Sequence, residues 1–193
     1  VPSVDPVMYG AVEIAAGMVP EMEEAQTLDK EVGEEVRIRL SEKYGDALCV
    51  GAGTVLDAET ARHAILHGAA FIIAPNYNEE VAKMCNRYQI PYAPGCTTIT
   101  ECVDALSSGA AFVKAFPISD FYGPKLVKVF KTPIPDMPIL ASGGINLDNL
   151  TTWLENGVDV CGFGGLLTKG SSEDIAANAA KIHEIITSFR CSK

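Results

Sequence analysis

The sequence predicts an α/β fold: a parallel (β/α)8 barrel spanning residues 1–193 as a single domain, with its first β/α unit missing or degenerate. Three observations carry this. Short apolar runs recur at 48–50, 71–74, 92–93, 112–116, 139–141 and 160–163, roughly 20–26 residues apart, the length of one β/α unit. The runs are near-continuous rather than alternating, as in parallel strands buried on both faces. The units repeat without an obvious change of order, which favours a barrel over an open doubly wound sheet.

A seventh strand is expected at 11–15, and the eighth, first in the chain, is either absent or reduced to 1–4. Residues 19–46 are charge-rich and read as an exposed, extended helix. Helical patterns then fill the gaps between strands. Residues 58–67 place Ala61, Ile65 and Leu66 on one face. Residues 79–88 follow Asn78, a plausible N-cap, with two Glu in the first turn. Residues 100–107 open on a capping-type Thr with Glu101 in the first turn. Helices at 149–155 and 172–189 complete the series.

Apolar residues make up 48% of the chain and charged residues 21%, the balance of a soluble globular protein. The net charge of −10 argues against a nucleic-acid partner, which requires a basic footprint. No apolar run reaches the roughly 18 residues of a membrane span, and no segment reads as a secretory signal. The chain starts at Val1 rather than Met, so it is expected either to have been trimmed or to have its true start outside this sequence. The six cysteines form no C-x-x-C pair and read as free thiols packed as small hydrophobes in a reducing cytoplasm.

In such a barrel the chemistry sits at the C-terminal ends of the strands. Lys114 is the only charge in the run Ala110-Ala111-Phe112-Val113-Lys114-Ala115-Phe116-Pro117. A lysine on a buried strand loses hydration, its pKa falls, and a partly neutral amine can attack a ketone. The blander alternative is a lysine that snorkels outward or pairs with a carboxylate. Ser142-Gly143-Gly144 and Gly164-Gly165 end the last two strands, where backbone N–H groups can approach phosphate oxygens. Thr54 ends the run at 48–50 and can offer a hydroxyl and an N–H to a carboxylate; it could equally cap a helix, a role for which Asp57 competes. His63 and His67 have the i, i+4 spacing of a zinc pair but lie mid-helix, away from the strand ends, and read as a solvated face. His183 has no assigned role, and Trp153 reads as packing.

Taken together, Gly51-Ala52-Gly53-Thr54-Val55-Leu56, Tyr92-Ala93-Pro94-Gly95, Val113-Lys114-Ala115-Phe116-Pro117, Gly143-Gly144-Ile145 and Gly164-Gly165 resemble, in order and spacing, the 2-keto-3-deoxy-6-phosphogluconate (KDPG) / 4-hydroxy-2-oxoglutarate (KHG) aldolases. The resemblance covers about three quarters of the chain, from Leu48 onward. It implies a TIM barrel and a class I (Schiff-base) aldolase, commonly a homotrimer, that uses no cofactor and no metal. It implies that Lys114 forms the imine with pyruvate and that Thr54 holds the pyruvate carboxylate, with Pro94 and Phe116 walling the site. Ser142, Gly143, Gly144, Gly164 and Gly165 would hold the substrate phosphate. Glu13, in Val12-Glu13-Ile14-Ala15-Ala16-Gly17, would be the general acid/base; Gly17 stands where the family carries an Arg, and Leu166 where some relatives carry Ser. The expected partner is a small keto-acid, with neither nucleic acid nor membrane. Two other readings keep the fold: a phosphate-binding barrel isomerase or synthase, and a non-catalytic sugar-phosphate-binding relative.

Overall fold

A computed structural model describes residues 49–192. The predicted strands at 1–4 and 11–15, the predicted helix at 19–46 and Glu13 lie outside the described residues.

The described chain alternates strand and helix. Its strands are β1 (Ile72–Ile73), β2 (Tyr92–Ala93), β3 (Gly95–Cys96), β4 (Val113–Ala115), β5 (Ile139–Ser142) and β6 (Val160–Gly162). Its helices are α1 (Ala58–Leu66), α2 (Glu79–Tyr88), α3 (Ile99–Ser107), α4 (Ile118–Tyr122), α5 (Lys125–Lys131), α6 (Leu150–Glu155), α7 (Gly165–Thr168) and α8 (Ser172–Cys191).

All strand pairs are parallel. Residues 92–96 join the two sheets. On one side the Gly95 N–H donates to the Ala74 carbonyl; on the other the Lys114 N–H donates to the Pro94 carbonyl, both at 2.9 Å. The predicted run at 48–50 forms no named strand. The backbone just after it still tracks β1, because the Ala52 N–H donates to the Phe71 carbonyl at 3.0 Å and the Ile73 N–H to the Ala52 carbonyl at 2.8 Å.

Alternation along each strand separates two faces. Val113, Ala115, Ile139, Ala141 and Cys161 turn outward into one apolar core with Leu150, Trp153, Leu167 and Ile182 of the helices. Ile72 and Tyr92 turn outward into a second core with Ala61, Val81 and Cys85. The residues between them in the alternation point to the opposite, inner face. The register there places Gly95, Lys114, Leu140 and Val160 side by side, with Ser142 beside Gly162 one step toward the C-terminal ends.

The caps explain where the helices begin. Asn78 accepts from the N–H groups of Glu80 and Val81, at 2.9 and 3.3 Å, and starts α2 as predicted. The helix predicted at 100–107 starts one residue earlier. Its cap is Thr98, three residues before Glu101, the spacing a reciprocal capping box requires. Two short helices, α4 and α5, fill the stretch between the fourth and fifth of these strands that the sequence left as a connector.

Candidate active site

Lys114 sits in the middle of β4, flanked by the fully buried Val113 and Ala115. Because its neighbours face the helices, its own side chain faces inward. Burial pushes its pKa below the ordinary lysine value, since the ammonium gives up hydration. Its Nζ lies 4.3 Å from the ring centre of Phe116, whose π face stabilises what charge remains. Among the described residues no carboxylate pairs with it. The result is a desolvated amine on the inner face, available to a ligand.

Pro94 and Gly95 stand next to it on the neighbouring strand. Gly95 is required there, because a Cβ would lie 2.1 Å from the Pro75 carbonyl oxygen. Pro94 is buried and its carbonyl accepts the Lys114 N–H, so it forms part of the wall beside the amine.

Thr54 is exposed at the end of the first described extended segment. Its φ is 56°, left-handed, which a β-branched residue adopts at a cost of about 1–2 kcal/mol. Asp57 takes the helix cap, accepting the Thr60 N–H at 2.6 Å. The Thr54 side chain is therefore not used to cap α1.

The loop after β5 is held from two sides. Ser119, the one buried polar residue among those described, donates its hydroxyl to the Ser142 carbonyl. The Asn149 amide donates to the Gly144 carbonyl at 2.8 Å. Gly143 and Gly144 have φ of 100° and 70°, values that glycine alone adopts cheaply. The loop after β6 runs into α7. Thr168 donates to the Gly164 carbonyl at 3.2 Å, and Asn178 of α8 donates to the Leu166 carbonyl at 3.0 Å. Among the described residues a Cβ on Gly164 would meet nothing within 4 Å.

The structure thus brings Lys114, Pro94 and Phe116 together, and sets Ser142 over Gly162 at 3.2 Å from its Cβ position. Glu13 lies outside the described residues. Sequence reasoning missed Ser119, Asn149, Asp120 and Lys169, which support or flank the loops; their signal is spatial and no motif spacing carries it. His63 and His67 stack on each other 4.4 Å apart on α1, and no group of metal-binding side chains occurs among the described residues. A groove of about 600 Å³ between α6 and α8 is lined by Leu147, Ile185 and Phe189 and holds none of the predicted site residues. Among the described residues no helix is long and apolar enough to cross a membrane.

Parallel β/α units with glycine loops at the strand ends and a desolvated lysine on the inner face are of the TIM-like α/β class. Residues 14–185 match the family described as Aldolase: KDPG and KHG aldolase. The chain is 37% identical over 139 residues to 2-dehydro-3-deoxy-6-phosphogalactonate aldolase of Escherichia coli (strain K12), covering 71% of this chain and 67% of that one. It is 35% identical over 116 residues to 2-dehydro-3-deoxy-phosphogluconate aldolase of Pseudomonas aeruginosa, covering 60% of this chain and 52% of the relative. A solved structure described as native KDPGal superposes with a TM-score of 0.78 and 29% identity, over 96% of this chain and 91% of that one. The matched segments span about half to two thirds of those two relatives' lengths. The chain belongs to the KDPG and KHG aldolase family, and its fold is the TIM-like α/β fold of those structures.

Proposed function

We propose that this chain is a class I aldolase that cleaves a 2-keto-3-deoxy-6-phospho sugar acid to pyruvate and an aldehyde such as glyceraldehyde 3-phosphate. The observation that carries this reading is Lys114: an amine on the inner face, its pKa lowered by burial, with no carboxylate partner among the described residues. Such an amine has no structural task on a buried strand, and it is the group that imine formation requires.

The reaction follows from that amine. Neutral Lys114 adds to the C2 ketone, and loss of water gives a cationic imine. A base, assigned to Glu13, takes the proton from the C4 hydroxyl. The C3–C4 bond breaks, its electron pair moves into the imine, and the aldehyde leaves. The same carboxylic acid returns the proton to C3 of the enamine. Water then adds to the imine, and pyruvate departs with Lys114 regenerated. Thr54 holds the pyruvate carboxylate; its strained backbone fits a residue kept for a ligand. Pro94 and Phe116 wall the reacting carbon. Ser142, Gly143, Gly144, Gly164 and Gly165 receive the phosphate.

The site serves one barrel domain over residues 1–193. We assign the working form as a homotrimer in the cytoplasm. Phe121 and Tyr122 of α4 and Val129 of α5 are 79%, 69% and 63% exposed, and these apolar side chains support burial against a second copy. The six free cysteines support a reducing compartment.

The test is pyruvate release, followed with lactate dehydrogenase and NADH, from the gluconate- and the galactonate-derived 6-phosphates. Turnover of either establishes the activity, and turnover of neither by folded protein overturns it.

A further inference from the structure

Two charged side chains flank the glycine loops and take no part in the imine chemistry. At the loop after β6, a Cβ on Gly165 would lie 3.4 Å from Cδ and 3.6 Å from Cε of Lys169. The Lys169 side chain therefore folds back over Gly165, with its ammonium one bond further on. At the loop after β5, a Cβ on Gly144 would lie 2.8 Å from Asp120 Oδ1, and one on Gly143 would lie 3.5 Å from the same oxygen. Both residues are exposed, and neither side chain joins an ion pair or hydrogen bond among the described residues. Leu166 follows the Gly164-Gly165 pair and adds no hydroxyl. The loops then offer neutral donors, their N–H groups and the Ser142 hydroxyl, and among the described residues Lys169 and Asp120 are the charged side chains that lie against these glycines.

We propose that Lys169 and Asp120 set the choice between phosphorylated and unphosphorylated substrates, Lys169 by attracting the phosphate at one loop and Asp120 by repelling it at the other. The proposal rests on the aldolase reading. A phosphate dianion within several ångströms of a partly solvated charge feels a Coulomb energy of order RT or more, and a neutral hydroxyl end feels almost none. The two side chains act in opposite directions on the same ligand group, so their removal has opposite signs.

The test uses the condensation direction, with pyruvate saturating and the aldehyde varied as glyceraldehyde 3-phosphate or glyceraldehyde. Lys169→Met raises the KM for glyceraldehyde 3-phosphate about tenfold, and Asp120→Asn lowers it about threefold, by loss of one Coulomb partner in each case. The KM for glyceraldehyde stays within about twofold in both, and 1 M salt compresses the differences. A phosphorylated-to-unphosphorylated KM ratio that is unchanged in either variant, or that moves the same way in both, overturns the proposal. Circular dichroism and borohydride trapping of pyruvate accompany each protein. A parent that traps pyruvate while the ratios stay flat overturns this inference alone; a folded parent that traps none overturns the aldolase reading and this inference with it.

Discussion

At the N-terminal edge of β5 and β6, Asp159 accepts the Ile139 N–H at 2.7 Å and pairs with Lys131 at 2.8 Å. In mid-strand Lys114, and at the opposite edge Asp120 and Lys169, have no such partner among the described residues. The same strands thus end in two different ways. Below, a carboxylate satisfies a backbone donor and neutralises a lysine at the solvent-exposed edge of the sheet. Above, the charges have no partner among the described residues and the backbone bends through positive-φ glycines, as the proposed ligand site requires. A barrel separates stability from chemistry along its strand axis, and the difference is readable as paired against unpaired charge.

The largest effect comes from breaking the upper end. Lys114→Met lowers kcat by about 10⁴-fold or more, as expected for loss of a nucleophile. The same change raises Tm at pH 7. The sign follows from linkage: the Lys114 pKa is lowered in the folded state, so the unfolded chain binds more protons below its own lysine pKa. Lys114 therefore costs stability at neutral pH, and the Tm gap between parent and variant closes as pH rises toward the ordinary lysine value. A variant that melts lower than the parent at pH 7 would contradict the desolvated amine.

Asp159→Ala tests the lower end. It strands the Ile139 N–H and the Lys131 ammonium, and costs about 2 kcal/mol. Urea unfolding measures the loss, while kcat/KM stays within about twofold of the parent. Loss of activity without loss of stability would erase the distinction between the ends.

Much of this division was legible in the sequence. Apolar runs located the strands except at 48–50, and Asn78 located the start of α2, because capping is a local hydrogen-bond problem; Thr100, expected to cap α3, lies inside it and Thr98 is the cap. Lys114 stood out because a charge in an apolar strand contradicts its surroundings. The helices α4, α5 and α7 were not foreseen. Each is seven residues or fewer, too short to show periodicity, and is set by its seat on the strand ends. Asp120 and Lys169 were invisible for a related reason: each lies several residues from the loop it touches or on another element altogether, and only the fold brings them over the glycines. Thr54 was ambiguous until Asp57 was seen to take the cap.

Smaller effects sharpen the picture. The rate of imine formation with pyruvate rises with pH and levels off below the ordinary lysine range, because Lys114 loses its proton early. Stopped-flow trapping between pH 6 and 10 reads the midpoint, and a rate still climbing at an unshifted lysine value would refute the shift. Thr54→Gly relieves the left-handed backbone and stabilises the fold by about 1 kcal/mol. It also removes the hydroxyl assigned to the pyruvate carboxylate, so the KM for pyruvate rises several-fold. Stability and binding then move in opposite directions, as they do for Lys114.

The most direct measurement mixes the protein with pyruvate and sodium borohydride and reads its intact mass beside Lys114→Ala. The account predicts one reduced pyruvate on the parent and none on the variant. Folded parent protein that gains no mass, or a variant that gains as much as the parent, would contradict it.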